Sequence, residues 1–220
     1  MPRIHLLTLL IFLAATSAVR GENRLIDDFH AGPGPGWESK SFRGETRYFP
    51  GLEDNIPCLK AESSASASGL FYKIDYDAAR EPILSWSWKV DNIIAKGDAR
   101  TKSGDDYPAR IYVVFPSLLF WKTKALNYVW ATNLPEGTAV PNSFTSNAMM
   151  IAVENGPAHL GQWRTYRRNI YQDFQKHFGY KPPPVGAIAI MTDTDNTGEK
   201  ASACYGAIRV ETDLPPVSAR

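Results

Sequence analysis

Polar and apolar residues alternate along much of the chain. Ser85-Trp86-Ser87-Trp88-Lys89-Val90 places Trp86, Trp88 and Val90 on one side and Ser85, Ser87 and Lys89 on the other, the period-two signature of a half-buried strand. Leu70 to Asp75 repeats the pattern with Leu70, Tyr72 and Ile74 on one face. Ala109 to Phe115, Leu126 to Ala131, Met149 to Val153, Val185 to Met191 and Tyr205 to Val210 are β-branched or aromatic runs. Several of them are apolar on both faces, as in central strands of packed sheets. Shorter strand patterns lie at Leu25 to Phe29, Thr46 to Phe49 and Leu59 to Glu62.

One segment has the helical period instead. Ile170, Phe174 and Phe178 lie four apart, Asn169 has the chemistry of an N-cap and Gly179 that of a C-terminal stop, so a short amphipathic helix is predicted near residues 169–178. Gly32-Pro33-Gly34-Pro35-Gly36 and Lys181-Pro182-Pro183-Pro184 interrupt regular structure. About a dozen strands, one helix and a turn every ten residues or so predict an all-β fold, a two-sheet β-sandwich or jelly roll.

The first residues read as an address. Met1 to Ala18 has Arg3, an apolar run from Leu6 to Ala15, and the small residues Thr16-Ser17-Ala18, a pattern suited to signal-peptide cleavage after Ala18. The run falls short of the roughly 20 residues of a membrane span. The expectation is an exported protein, periplasmic or secreted, with residues 1–18 removed, residues 19–220 forming one domain, and no membrane insertion after cleavage. Lys+Arg 24 against Asp+Glu 23 leaves no basic face for nucleic acid. In an oxidising compartment Cys58 and Cys204 can pair, or remain two separate buried thiols.

Several chemistries are missing. There is no Gly-x-Ser-x-Gly elbow, no phosphate-binding Gly-rich loop, and no His-x-His or His-Glu-x-x-His spacing. Four segments carry candidate chemistry. Gly104-Asp105-Asp106-Tyr107-Pro108-Ala109-Arg110 sets two adjacent carboxylates and an arginine at the start of a core strand. Met191-Thr192-Asp193-Thr194-Asp195-Asn196-Thr197-Gly198 supplies alternating oxygen ligands at the end of another. It resembles the opening of a calcium loop, but Thr197 and Cys204 at the later ligand positions exclude an EF-hand. A different calcium site through Asp193 and Asp195 is the metal reading; an Asx-turn is the alternative. Among the six tryptophans, Trp86 and Trp88 read as core, whereas Trp121 and Trp130, the latter with Tyr128 on its strand face, are ligand candidates. In Gln162 to Asn169, Arg168 with Asp173 reads as a buried pair.

The strings Asp-Asp-Tyr-Pro-Ala-Arg-Ile-Tyr-Val-Val-Phe, Leu-Asn-Tyr-Val-Trp-Ala, Trp-Arg-Thr-Tyr-Arg-Arg-Asn-Ile-Tyr-Gln-Asp-Phe and Met-Thr-Asp-Thr-Asp-Asn-Thr-Gly together resemble a bacterial domain-of-unknown-function family, number three-zero-four-seven in that series. The resemblance spans nearly all of the chain after the leader. It implies an exported single-domain protein and no particular activity. Phe29 through Val90 is also loosely similar to carbohydrate-binding jelly rolls.

The reading that follows is a non-catalytic binding domain for a saccharide or other small polar envelope ligand. Its site comprises Asp105, Asp106, Arg110, Tyr128, Trp130, Asp193, Asp195 and Asn196. One alternative is a polysaccharide hydrolase or lyase, with paired aspartates as acid and base or Tyr112 as base. The other is a structural envelope protein without a ligand.

Overall fold

A computed structural model describes residues 23–212, and the proposed leader and its cleavage point lie outside the described residues. The chain begins with β1 (Asn23–Asp27), β2 (Trp37–Arg43), β3 (Arg47–Glu53), β4 (Ile56–Ser64) and β5 (Ala67–Tyr76). It continues through β6 (Ile83–Val90), β7 (Arg110–Phe115), β8 (Lys124–Ala131), β9 (Ala139–Pro141) and β10 (Ala148–Asn155). Then come β11 (Arg164–Asn169), α1 (Ile170–Phe178), β12 (Val185–Asp193) and β13 (Lys200–Glu211). One sheet runs β11-β6-β13-β4-β3, with β1 also on β13; the other runs β2-β5-β12-β7-β8-β10-β9. The result is a two-sheet β-sandwich, the predicted class. Among the described strands, β8 and β10 pair in parallel.

The strict alternation of β6 delivers Trp86 and Trp88 into the space between the sheets, where the Trp86 ring lies 5.2 Å from that of Tyr128 on β8. Ile111 and Val113 of β7 and Ile188 and Ile190 of β12 join them, all fully buried. Cys58 on β4 and Cys204 on β13 form a disulfide across 146 positions of sequence, with Cα atoms 5.7 Å apart.

α1 has the predicted ends. The Asn169 side chain accepts from the backbone N–H of Gln172 at 2.9 Å, and Gly179 takes the left-handed conformation at φ 81°. Phe174 packs on Phe115 with centroids 4.5 Å apart, and Asp173 is gripped by Arg168 at 2.7 and 3.0 Å.

The face of the seven-stranded sheet that points away from the core has two halves. Ala99, Tyr107 and Leu134, from the loops flanking β7 and β8, cover Val129, Ala131, Met150 and Ala152. Among the described residues no such cluster lies over β2, β5, β12 and β7, and the polar groups gather beside β12 and β7.

Candidate functional site

β7 and β12 are antiparallel neighbours, with Arg110 opposite Met191. The residues that lead into β7 therefore meet those that leave β12, although they are far apart in sequence. This brings Asp105, Asp106 and Arg110 together with Asp193, Asp195 and Asn196. Asp106 ties the turn after β12: its carboxylate accepts from the backbone and side-chain N–H of Asn196, both at 3.2 Å, and from the backbone N–H of Thr197 at 2.6 Å. Asp105 accepts from the Tyr107 hydroxyl at 3.1 Å and from the Asn142 amide at 2.8 Å.

Asp193 and Arg110 form the deepest pair, with Nη2 donating to Oδ2 at 2.6 Å. The guanidinium carbon lies 5.3 Å from the Tyr107 ring and 5.1 Å from the Tyr112 ring, so two aromatic faces hold the charge in place. Burial pushes the Asp193 carboxyl well above the usual carboxylate range; Arg110 opposes this, and repulsion from Asp106, Asp105 and Asp195 adds to it. Asp195 is raised for the same reasons, burial first and Asp106 next. Four carboxyl groups thus gather around the Arg110–Asp193 pair, and Arg43 donates to the Asp195 carbonyl at 3.0 Å. Oxygen atoms of Asp106, Asp193 and Asp195 lie within 4.8 Å of one another, close enough to hold one metal ion.

These groups edge an open cleft of about 450 Å³. Its floor includes Tyr112 of β7 and Asn127 of β8, which face each other across the strand pair. Phe42, 57% exposed, and Phe144, 56% exposed, line it at the surface. The Phe42, Phe71 and Tyr112 rings follow one another at centroid spacings of 6.4 Å, extending an aromatic row from the cleft across β5. Two buried polar atoms of residues that line the cleft have no partner among the described residues: Arg110 Nε, a donor, and Asn127 Oδ1, an acceptor. Both residues are more than nine-tenths buried.

Asp105, Arg110, Asp193, Asp195 and Asn196 line the cleft, with Asp106 beneath as their clamp. Tyr128 and Trp130 do not, and the sequence-based assignment of both to the site is corrected. They lie on the inner face of β8, fully buried, with the Tyr128 hydroxyl donating to Asp173 at 2.7 Å and the Trp130 indole N–H to the Gly156 carbonyl at 3.0 Å. β8 is apolar on both faces, so periodicity could not say which set pointed inward. The marker was Asn127, the lone amide among those side chains. Trp121 is exposed, but on the loop between β7 and β8, outside the cleft lining. Phe42 and Phe144 were missed. Phe42 sits on the mostly polar edge strand β2, where one large aromatic on a solvated face was the available signal.

Residues 35–209 match the model of a family described as "Protein of unknown function (DUF3047)". Among curated proteins none matches the sequence. Solved structures resemble the fold at low identity. A family 11 carbohydrate-binding module of a cellulosomal cellulase of Clostridium thermocellum aligns with TM-score 0.49 and 13% identity, over 89% of this chain and 98% of that one. A family 30 carbohydrate-binding module of another cellulosomal cellulase of the same organism aligns with TM-score 0.49 and 9% identity, over 88% and 99%. The xyloglucanase domain of a type three effector from Sinorhizobium fredii aligns with TM-score 0.47 and 8% identity, over 80% and 94%.

Proposed function

The chain belongs to the DUF3047 family, and from that premise and the geometry of its cleft we propose that it is an exported, non-catalytic binding domain whose ligand is a saccharide. The observation that carries this reading is the pair of orphaned buried atoms, Arg110 Nε and Asn127 Oδ1, in a cleft rimmed by exposed aromatic rings. An unpaired buried polar group costs about 1–3 kcal/mol, which a ligand recovers by supplying the missing partner. One atom wants an acceptor and the other a donor. A sugar hydroxyl is both, and the apolar face of a pyranose suits rings such as Phe42 and Phe144. A volume of about 450 Å³ lies within the range of small-ligand sites. The disulfide supports the exported compartment.

Binding to an array of immobilised oligosaccharides tests the reading. Wild-type protein is expected to bind a defined set of glycans. Phe42→Ala/Phe144→Ala, which removes only exposed rings, is expected to lose on the order of tenfold or more in affinity for them. An array without a binder, or binding that the double variant leaves intact, contradicts it.

The hydrolase and lyase alternatives have less support. Asp106 and Asp193 are committed to the Asn196–Thr197 turn and to Arg110, and burial pushes the Tyr112 phenol up, away from the range of a base.

A second reading concerns a cation. Asp106, Asp193 and Asp195 offer hard oxygen donors of the kind calcium takes, and Asn127 Oδ1 is a further unpartnered oxygen in the same cleft. A divalent ion there would offset the excess of carboxylates over Arg110. Calcium at about a hundred times its dissociation constant raises stability by roughly 2.7 kcal/mol. Thermal unfolding with calcium and with a chelator is expected to show that rise in wild-type protein and none in Asp195→Asn. Equal unfolding temperatures with and without calcium dismiss the ion.

A further inference from the structure

We propose that the loop between β7 and β8 docks the protein on an anionic membrane surface. Leu118, Leu119, Phe120 and Trp121 are four consecutive large apolar side chains on this loop. Leu118 is fully exposed, Phe120 is 79% exposed and Trp121 58% exposed. Such a run on the surface calls for a partner, whereas scattered single apolar residues do not.

The loop is built to hold these groups outward. A single 3-10 turn spans Phe120–Lys122, with the Lys122 N–H donating to the Leu119 carbonyl at 2.7 Å and the Thr123 N–H to the Phe120 carbonyl at 3.1 Å. The Asn147 amide donates to the Trp121 carbonyl at 2.6 Å, and the Ser117 N–H to the Thr123 hydroxyl at 3.3 Å. Phe120 and Trp121 meet edge to face, 5.1 Å between centroids. Part of the loop backbone is thus tied to the protein, while these side chains are left to solvent.

Charge identifies the partner. A cleft of about 440 Å³ lies against Leu118 and is lined by Lys122, Lys124 and Lys181, with no carboxylate in its lining. Lys124 Nζ donates to Asn147 Oδ1 at 2.7 Å and lies 5.1 Å from the Phe178 ring. Lys122 and Lys181 make no ion pair among the described residues. Exposed Leu, Phe and Trp beside a cationic hollow match the layered chemistry of a bilayer surface, with acyl chains below and phosphate above. The loop reaches into one leaflet and does not span it. The loop lies at the far end of β7 from the Arg110–Asp193 pair: Arg110 and Phe115 stand at opposite ends of the strand, about 17 Å apart by strand rise.

Co-sedimentation with vesicles tests the proposal, using phosphatidylcholine mixed roughly three to one with phosphatidylglycerol, and phosphatidylcholine alone. The folded wild-type protein is expected to sediment with the mixed vesicles, less at high salt and less with phosphatidylcholine alone. Its tryptophan emission shifts to the blue, because Trp121 is the most exposed indole. Phe120→Ser/Trp121→Ser, which touches no core residue, weakens vesicle binding at least about tenfold. Trp121→Phe keeps binding and loses most of the emission shift. Sedimentation unchanged in the double serine variant overturns the proposal, as does absence of sedimentation by the wild type. A concentration-dependent dimer abolished by the serine variant, without lipid binding, overturns it in favour of a second copy of the chain.

Discussion

Arg110→Met lowers folding stability by about 3–5 kcal/mol, because it leaves the Asp193 carboxylate buried without its counter-charge. Asp193 is 1% exposed, so in the folded protein little water stands ready to replace the guanidinium. The deficit depends on pH in a definite direction. Burial and the neighbouring carboxylates already hold Asp193 above its ordinary range, and losing Arg110 raises it further. A carboxyl raised in the folded state favours folding at low pH and loses that contribution as pH rises through the raised value. The deficit is therefore full at neutral pH and shrinks on acidification. Arg110→Met/Asp193→Asn recovers most of the loss, because it removes both charges together. Urea unfolding of the three proteins at neutral and acidic pH measures this; a double variant no more stable than the single one shows that the pair is not the source.

Cys58→Ala/Cys204→Ala produces a loss of similar size by a different route. The bond closes 146 positions of sequence, and in the chain-entropy account a loop of that length contributes about 5 kcal/mol through the unfolded state. Both sulfurs lie on strands of one sheet, β4 and β13, so the folded architecture remains and the midpoint falls. Denaturant unfolding of wild-type protein with and without reductant, beside the double alanine variant, reads the effect. A change of less than about 1 kcal/mol contradicts the loop-closure account.

Much of the fold was legible because its strongest strands obey one local rule. β6 reads as a strand through Trp86 and Trp88 alone, and α1 announces both its ends in Asn169 and Gly179. The strands that escaped notice lack that contrast. β2 is Trp-Glu-Ser-Lys-Ser-Phe-Arg and β11 is Arg-Thr-Tyr-Arg-Arg-Asn; both are sheet edges, where one side meets water and hydrophobic patterning fades. β9 is only three residues long, too short to show a period.

The site divides in the same way. Asp105, Arg110, Asp193 and Asn196 were found because adjacent acids and an arginine at strand ends are conspicuous, and antiparallel pairing of β7 with β12 brought them together. Tyr128 and Trp130 were misplaced because an aromatic pair on a doubly buried strand carries no sign of its direction. Phe144 lies on the loop between β9 and β10, and only the folded chain brings it beside Phe42.

Amide chemical-shift mapping tests the central claim most directly. An oligosaccharide selected on the array is titrated into isotope-labelled protein. The account predicts that the largest shifts fall on Phe42, Arg110, Tyr112, Asn127 and Asn196, with the side-chain amide of Asn127 among them. Shifts concentrated on the opposite sheet, or no saturable shift at millimolar sugar, contradict a saccharide site in this cleft.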